Sequence, residues 1–255
     1  DILIGQQHSD ADDDAFIRQV EPLLRDRRYI RVQGRPLLLI YRIELLPDAA
    51  RTAAIWRHFC RECGIGELFI ASVQSFGSAS DPRAFGFDAA VEFPPHERAV
   101  LAQPQPRMTN PEFQGLVFDY PATARNFMHR PLPPYPFFRT AMPNWDNTAR
   151  RQNHSHIFIH SSPEAYGAWL SHLVEQARQL QPPGARFLFI NAWNEWAEGN
   201  YLEPDQRQGH GYLEATRQAL GESGGGIPGP VFATLTRIPA PSRQARTRTS
   251  PPDGV

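Results

Sequence analysis

Phe187-Leu-Phe-Ile-Asn-Ala-Trp-Asn-Glu-Trp-Ala-Glu-Gly-Asn-Tyr-Leu-Glu-Pro-Asp205 divides into two parts of different character. Residues 187–192 form a short apolar run, the pattern of a strand covered on both faces, as in a parallel sheet. Residues 193–205 then gather four acids, two amides, two Trp and one Tyr. An apolar strand running straight into such a segment puts it at the strand's carboxyl end, where (β/α) folds build their sites.

Working outward, four more apolar runs stop at turn chemistry: 36–41, 68–73, 87–93 (before Pro94-Pro95) and 137–142 (before Pro143). Helical spacing lies between some of them. Ser162-Pro163-Glu164 reads as a cap, a first-position proline and a first-turn acid. Tyr166, Trp169, Leu170, Leu173, Val174, Ala177 and Leu180 follow at helical intervals until Pro182-Pro183-Gly184. Residues 48–63 and 11–25 read as two further helices. The alternation predicts an α/β fold. Residues 94–136 are Pro-rich and weakly periodic, and are expected to make a long excursion on the carboxyl-end face. The domain is expected over 1–220, with 221–255 a disordered tail rich in Pro, Gly and Arg.

Bulk properties exclude several functions. The net charge is −1, with every basic residue an Arg, so no basic field marks a nucleic-acid partner. Two cysteines make no disulfide framework. No apolar run approaches the ~20 residues that span a bilayer, and no Gly-x-Gly-x-x-Gly follows a strand to bind a dinucleotide. A cytoplasmic location is expected from these features.

Chemistry on a glycosidic bond needs two carboxyl groups with split roles. Trp and Tyr faces suit the apolar faces of sugar rings, and amides suit their hydroxyls. Glu195, Glu198, Glu203 and Asp205 can supply such a pair, with Trp193, Asn194, Trp196, Tyr201 and a remaining acid such as Glu203 shaping the sugar site. Pro143-Asn144-Trp145-Asp146-Asn147, with Arg150-Arg151, ends the preceding strand. It offers either a sugar-binding loop, Trp145 stacking and Asp146 holding hydroxyls, or a turn in which Asp146 bonds backbone. Tyr41, Gln74, Glu92 and His96 fall at or just past strand ends and are expected to line the mouth. No metal or cofactor is called for. Asp10-x-Asp12-x-Asp14 with Glu21 has calcium-loop spacing but Ala15 where that loop needs Gly, and helix capping explains the same acids. Cys60-Arg-Glu-Cys63 lies at a helix end and reads as packing. His154, His156 and His160 read as ordinary surface and core residues.

Asn191-Ala-Trp-Asn-Glu-Trp-Ala-Glu-Gly199, Leu202-Glu-Pro-Asp205 and Gly211-Tyr-Leu-Glu-Ala215 resemble the WbsX-type polysaccharide-biosynthesis glycosyltransferases, which are similar to the glycoside hydrolase family 99-like domain. Arg35–Arg42, Phe87–His96 and Pro143–Arg151 match in the same order, so the resemblance covers about residues 1–220. It implies a (β/α)₈ barrel of the TIM type whose last strand carries the two glutamates. It implies that Glu195 is the base that helps a substrate 2-hydroxyl attack the anomeric carbon, that Glu198 is the acid, and that configuration is retained. The implied substrate is an oligosaccharide or polysaccharide of the lipopolysaccharide O-antigen kind, with hydrolysis and transfer both open. Relatives carry an upstream segment with the first three strands. Five candidate strands against the eight of a closed barrel point to a partial barrel, about strands 4–8, lacking its N-terminal third. A catalytically inactive carbohydrate-binding remnant is the alternative, because positioning supplies much of the rate.

Overall fold

The computed structural model describes residues 8–75, 80–95 and 97–221. In chain order its elements are α1 (Asp10–Arg25), β1 (Arg31–Val32), β2 (Arg35–Ile40), α2 (Ala49–Glu62), β3 (Phe69–Gln74), β4 (Ala89–Glu92), β5 (Leu116–Asp119), α3 (Tyr120–Met128), β6 (Phe137–Ala141), α4 (Thr148–Arg151), β7 (His156–Ile159), α5 (Pro163–Leu180), β8 (Leu188–Ile190), β9 (Asn194–Glu195), β10 (Asn200–Tyr201) and α6 (Gly211–Gly221).

The five apolar runs become five parallel strands ordered β2-β3-β4-β6-β8, with β1 antiparallel on the β2 edge. This order never doubles back. Successive right-handed crossovers then put the helices on one face, as in consecutive strands of a (β/α) barrel. Side chains divide accordingly. Leu38, Ile70 and Phe87 pack with Ile17, Leu24, Ala53 and Trp56 beneath α1 and α2. Ala141 and Ile190 pack with Phe127, Trp169, Leu173 and Ala215 beneath α3, α5 and α6. On the opposite face Leu37, Phe69, Ala71, Val73, Val91, Phe138 and Phe189 close on one another. The fold is thus mixed α/β, and among the described residues its parallel sheet has five strands and does not close.

Local chemistry sets the helix ends. The Ser162 hydroxyl accepts from Ala165 N at 3.2 Å to start α5, and the Asp48 carboxylate accepts from Arg51 N at 2.9 Å to start α2. The acids of α1 take separate partners: Asp10 with Arg51, Asp12 with Ser9, Asp13 with Thr52, Asp14 with Arg18. Cys60 is buried beneath α2, and burial pushes its thiol up to about 11.

Three expectations need correction. Residues 94–136 hold more order than their sequence announces: β5 pairs in parallel with β7, and α3 packs on α5 through Phe127 and Trp169, whose rings lie 5.3 Å apart. The excursion therefore serves the helical layer. Gln74 does not line the mouth. It alternates with Ile70 and Ser72 toward the helices, donating to the Tyr135 hydroxyl at 2.7 Å and accepting from Arg130 Nη2 at 3.1 Å. Glu92, fully buried on the same face, accepts from Arg139 Nε at 2.8 Å and Arg130 Nη1 at 3.1 Å. No described helix is long and apolar enough to cross a membrane. Residues 222–255, where the tail was expected, and His96 lie outside the described residues.

Candidate functional site

Where β8 ends, Asn191 ties three strands together. Its N–H donates to Ala141 O at 2.9 Å and its Nδ2 to Pro94 O at 3.0 Å, linking the carboxyl ends of β6, β4 and β8. The residue patterning alone did not single it out; its place as the last polar residue of an apolar run was the available signal. The chain then folds into a small hairpin. β9 and β10 are antiparallel, with Asn200 opposite Glu195 and Tyr201 opposite Asn194. A 3₁₀ turn, Trp196–Glu198, joins them, and Trp193 O accepts from Leu202 N and Glu203 N at 2.9 and 3.1 Å.

This pairing sorts the side chains, because directly opposed residues share a face. Glu195 and Asn200 fall on one face, Asn194 and Tyr201 on the other. Trp196 joins the second group: its ring stacks on Tyr201 with centroids 3.7 Å apart and planes 17° from parallel. Its Nε1–H donates to Glu203 Oε2 at 2.6 Å, so the indole is fixed before any ligand arrives. The Tyr201 hydroxyl donates to Asp205 at 3.0 Å; burial, then that bond, push its phenol up, so it stays a donor. Trp196 is 47% exposed and Trp193 39%, large for indoles held at a strand end. Asn194 is exposed and Glu195 half-buried.

Glu198 is half-buried and accepts from Arg150 Nη1. Arg150 comes from α4, just past the Pro143–Asn147 loop. That loop and the hairpin touch directly: Asp146 N donates to Glu198 O at 2.8 Å. Gly199 makes the contact possible. Its φ is +58°, and a Cβ there would lie 2.7 Å from Asp146 O and 2.8 Å from Asp146 N. Gly199→Ala is expected to cost about 1–2 kcal/mol from the left-handed backbone alone and to push the turn off Asp146. Amide hydrogen exchange at Asp146 N–H should lose its protection; unchanged protection would show that the contact tolerates the methyl.

Other expected residues fall unevenly. The Asp146 carboxylate accepts from Thr148 N at 3.0 Å and from the Thr148 hydroxyl, so it caps a turn. Trp145 is 7% exposed within the core under α5, which leaves its ring no open face for a sugar. Tyr41 stands past the end of β2, 37% exposed, edge-on to Phe93 at 5.3 Å. His160, read as ordinary, binds Asp119 through Nδ1 at 2.9 Å. Burial works to raise the Asp119 carboxyl, but His160 and the Ala122 N–H outweigh it and hold it below the usual range.

Comparison with known proteins places the chain in a family. Two proteins called "Uncharacterized protein WxcX", from two strains of Xanthomonas campestris pv. campestris, are 49% and 48% identical over 221 residues, 86% of this chain. The chain spans about a third of their length, 32%. A solved "Glycoside hydrolase-like protein" superposes with a TM-score of 0.53 at 13% identity, over 82% of this chain and 60% of that one, a likeness of fold. A family model described as "Glycosyltransferase WbsX" matches residues 1–216, which include the sheet, the loop at Asp146 and the whole Glu195–Glu198 hairpin. The chain therefore belongs to the WbsX glycosyltransferase family.

Proposed function

We propose that the chain carries the acid–base half of a site that makes or breaks glycosidic bonds in a polysaccharide, with retention of configuration. One observation carries this reading: a single hairpin at the carboxyl end of the sheet carries Glu195 and Glu198, with a pre-ordered, half-exposed Trp196 on the face opposite Glu195. Glu195 takes the proton of a substrate 2-hydroxyl as its oxygen closes on the anomeric carbon. Glu198 gives a proton to the departing oxygen. In the second half Glu198 takes a proton from the incoming hydroxyl, of water or of a sugar, and Glu195 returns its proton to O2. Two inversions leave the configuration unchanged. Trp196, backed by Tyr201, supports a sugar ring, and Trp193, Asn194, Glu203 and Tyr41 complete the rim. That the five parallel strands are about strands 4–8 of an eight-stranded barrel belongs to the same proposal.

The direct test follows product stereochemistry by proton NMR at early times, with the intact protein and a panel of aryl α- and β-hexosides. The first-formed product should keep the anomeric configuration of its substrate; an inverted product overturns the mechanism. Trp196→Ala should weaken substrate binding roughly tenfold while sparing the fold, since it removes a stacking face and little buried area. The second reading, a carbohydrate-binding module without turnover, has one observation in its favour: Arg150 occupies the Glu198 carboxylate. Saturable glycan binding that quenches Trp fluorescence, with no product from any panel member, would select it.

A further inference from the structure

We propose that Asn200 is a positioning residue for Glu195, its buried amide being the donor that fixes the carboxylate in its reacting position. This rests on the acid–base reading above. Asn200 is fully buried, and neither its Nδ2 nor its Oδ1 has a hydrogen-bond partner. A buried amide left unpaired is destabilising, so native proteins keep few of them. Asn200 lies directly opposite Glu195 in the antiparallel pair. Residues so placed share a face, with Cβ atoms about 4.5–5.5 Å apart, which one rotamer change of a glutamate can bridge.

The other acids of the hairpin and its adjoining loop, and the Tyr201 hydroxyl, are engaged. Glu198 is bound to Arg150, Glu203 to Trp196, Tyr201 to Asp205 and Asp146 to Thr148. The Glu195 carboxylate has no hydrogen bond or ion pair among the described residues. An amide lacking an acceptor thus faces a carboxylate lacking a donor. A base must be both ionised and aimed. A donated hydrogen bond does both, favouring the charged form and selecting one rotamer.

The test is a carbon-13 NMR titration of the Glu195 carboxyl in the full chain, its signal assigned by its loss in Glu195→Gln. Asn200→Leu keeps the size and removes the donor. Its thermal midpoint should stay level or rise, because an unpaired buried amide is gone, while the Glu195 midpoint rises. Asn200→Asp should raise it further, by adding a like charge. The neighbouring charges at Glu198, Arg150, Asp146 and Glu203 are the same in every variant, so the difference reports on position 200. If Asn200→Leu does not fold, Asn200→Ser, whose hydroxyl is too short to span the pair, is read in the same way. A Glu195 midpoint equal to that of the wild type in the folded variant overturns the proposal. Full turnover in Glu195→Gln would instead overturn the acid–base reading and leave the pairing intact.

Discussion

Glu92→Ala is expected to lower the stability of the chain by about 3–5 kcal/mol, the loss typical of removing one partner from a buried ion pair. Glu92 is fully buried, and its two oxygens take both neighbouring guanidiniums, those of Arg139 and Arg130. Those side chains are only 3% and 15% exposed, so solvent cannot replace the carboxylate. Arg139 retains Gln176 Oε1 at 2.6 Å and Phe127 O, and Arg130 retains Gln74. Those neutral acceptors satisfy hydrogen bonds without cancelling charge. The site would hold two buried cations with no anion between them. For a domain of this size the thermal midpoint should fall by on the order of 10 °C, followed by circular dichroism. Glu92→Gln, which keeps the shape and one acceptor, should fall between. A midpoint within a degree or two of wild type in Glu92→Ala would mean that water reaches the pair.

The same network shows where the sequence was legible and where it was not. All five strands of the parallel sheet were readable, because strands covered on both faces must be apolar at nearly every position. The helix from Ser162 was readable to the residue, because cap, proline and stripe agree. Gln74 was misplaced for the converse reason: a polar residue at a strand's carboxyl end looks like a site residue until the pleat direction is known, and a run apolar on both faces hides that direction. β5 and β7 were missed because each has four residues, and their pairing joins Leu116 to His156, forty positions apart. The Glu195–Glu198 hairpin was legible as a cluster of acids, amides and aromatics at a strand's carboxyl end. Its division into two faces was not, because that follows from the register of a pair only two residues long. Trp145 illustrates the limit. Indoles serve cores and sugar sites equally well, and only its burial decides between them.

Glu195→Gln and Glu198→Gln are expected to lose turnover by about 10²–10⁴-fold each on sugar substrates, the range for removing a general acid or base, yet to differ in how that loss depends on the leaving group. The base must act whatever departs, since the 2-hydroxyl cannot attack while it holds its proton. Glu195→Gln should therefore be impaired equally with sugar and with dinitrophenyl leaving groups. The acid is needed only when the departing oxygen is strongly basic. Glu198→Gln should thus recover most of its activity on dinitrophenyl glycosides in the first step. Arg150 sharpens the comparison. Its guanidinium is paired with Glu198 and 43% exposed, a pairing that water and salt weaken. For Glu198 to carry a proton to a sugar oxygen, the arriving substrate must displace that guanidinium. Arg150→Gln should then favour the protonated acid and move the basic limb of the pH–rate profile upward. Leaving-group dependence falling on Glu195 rather than Glu198 would exchange the two roles. Equal losses for both variants with every leaving group would remove the acid from the mechanism and make Glu198 a binding group held by Arg150.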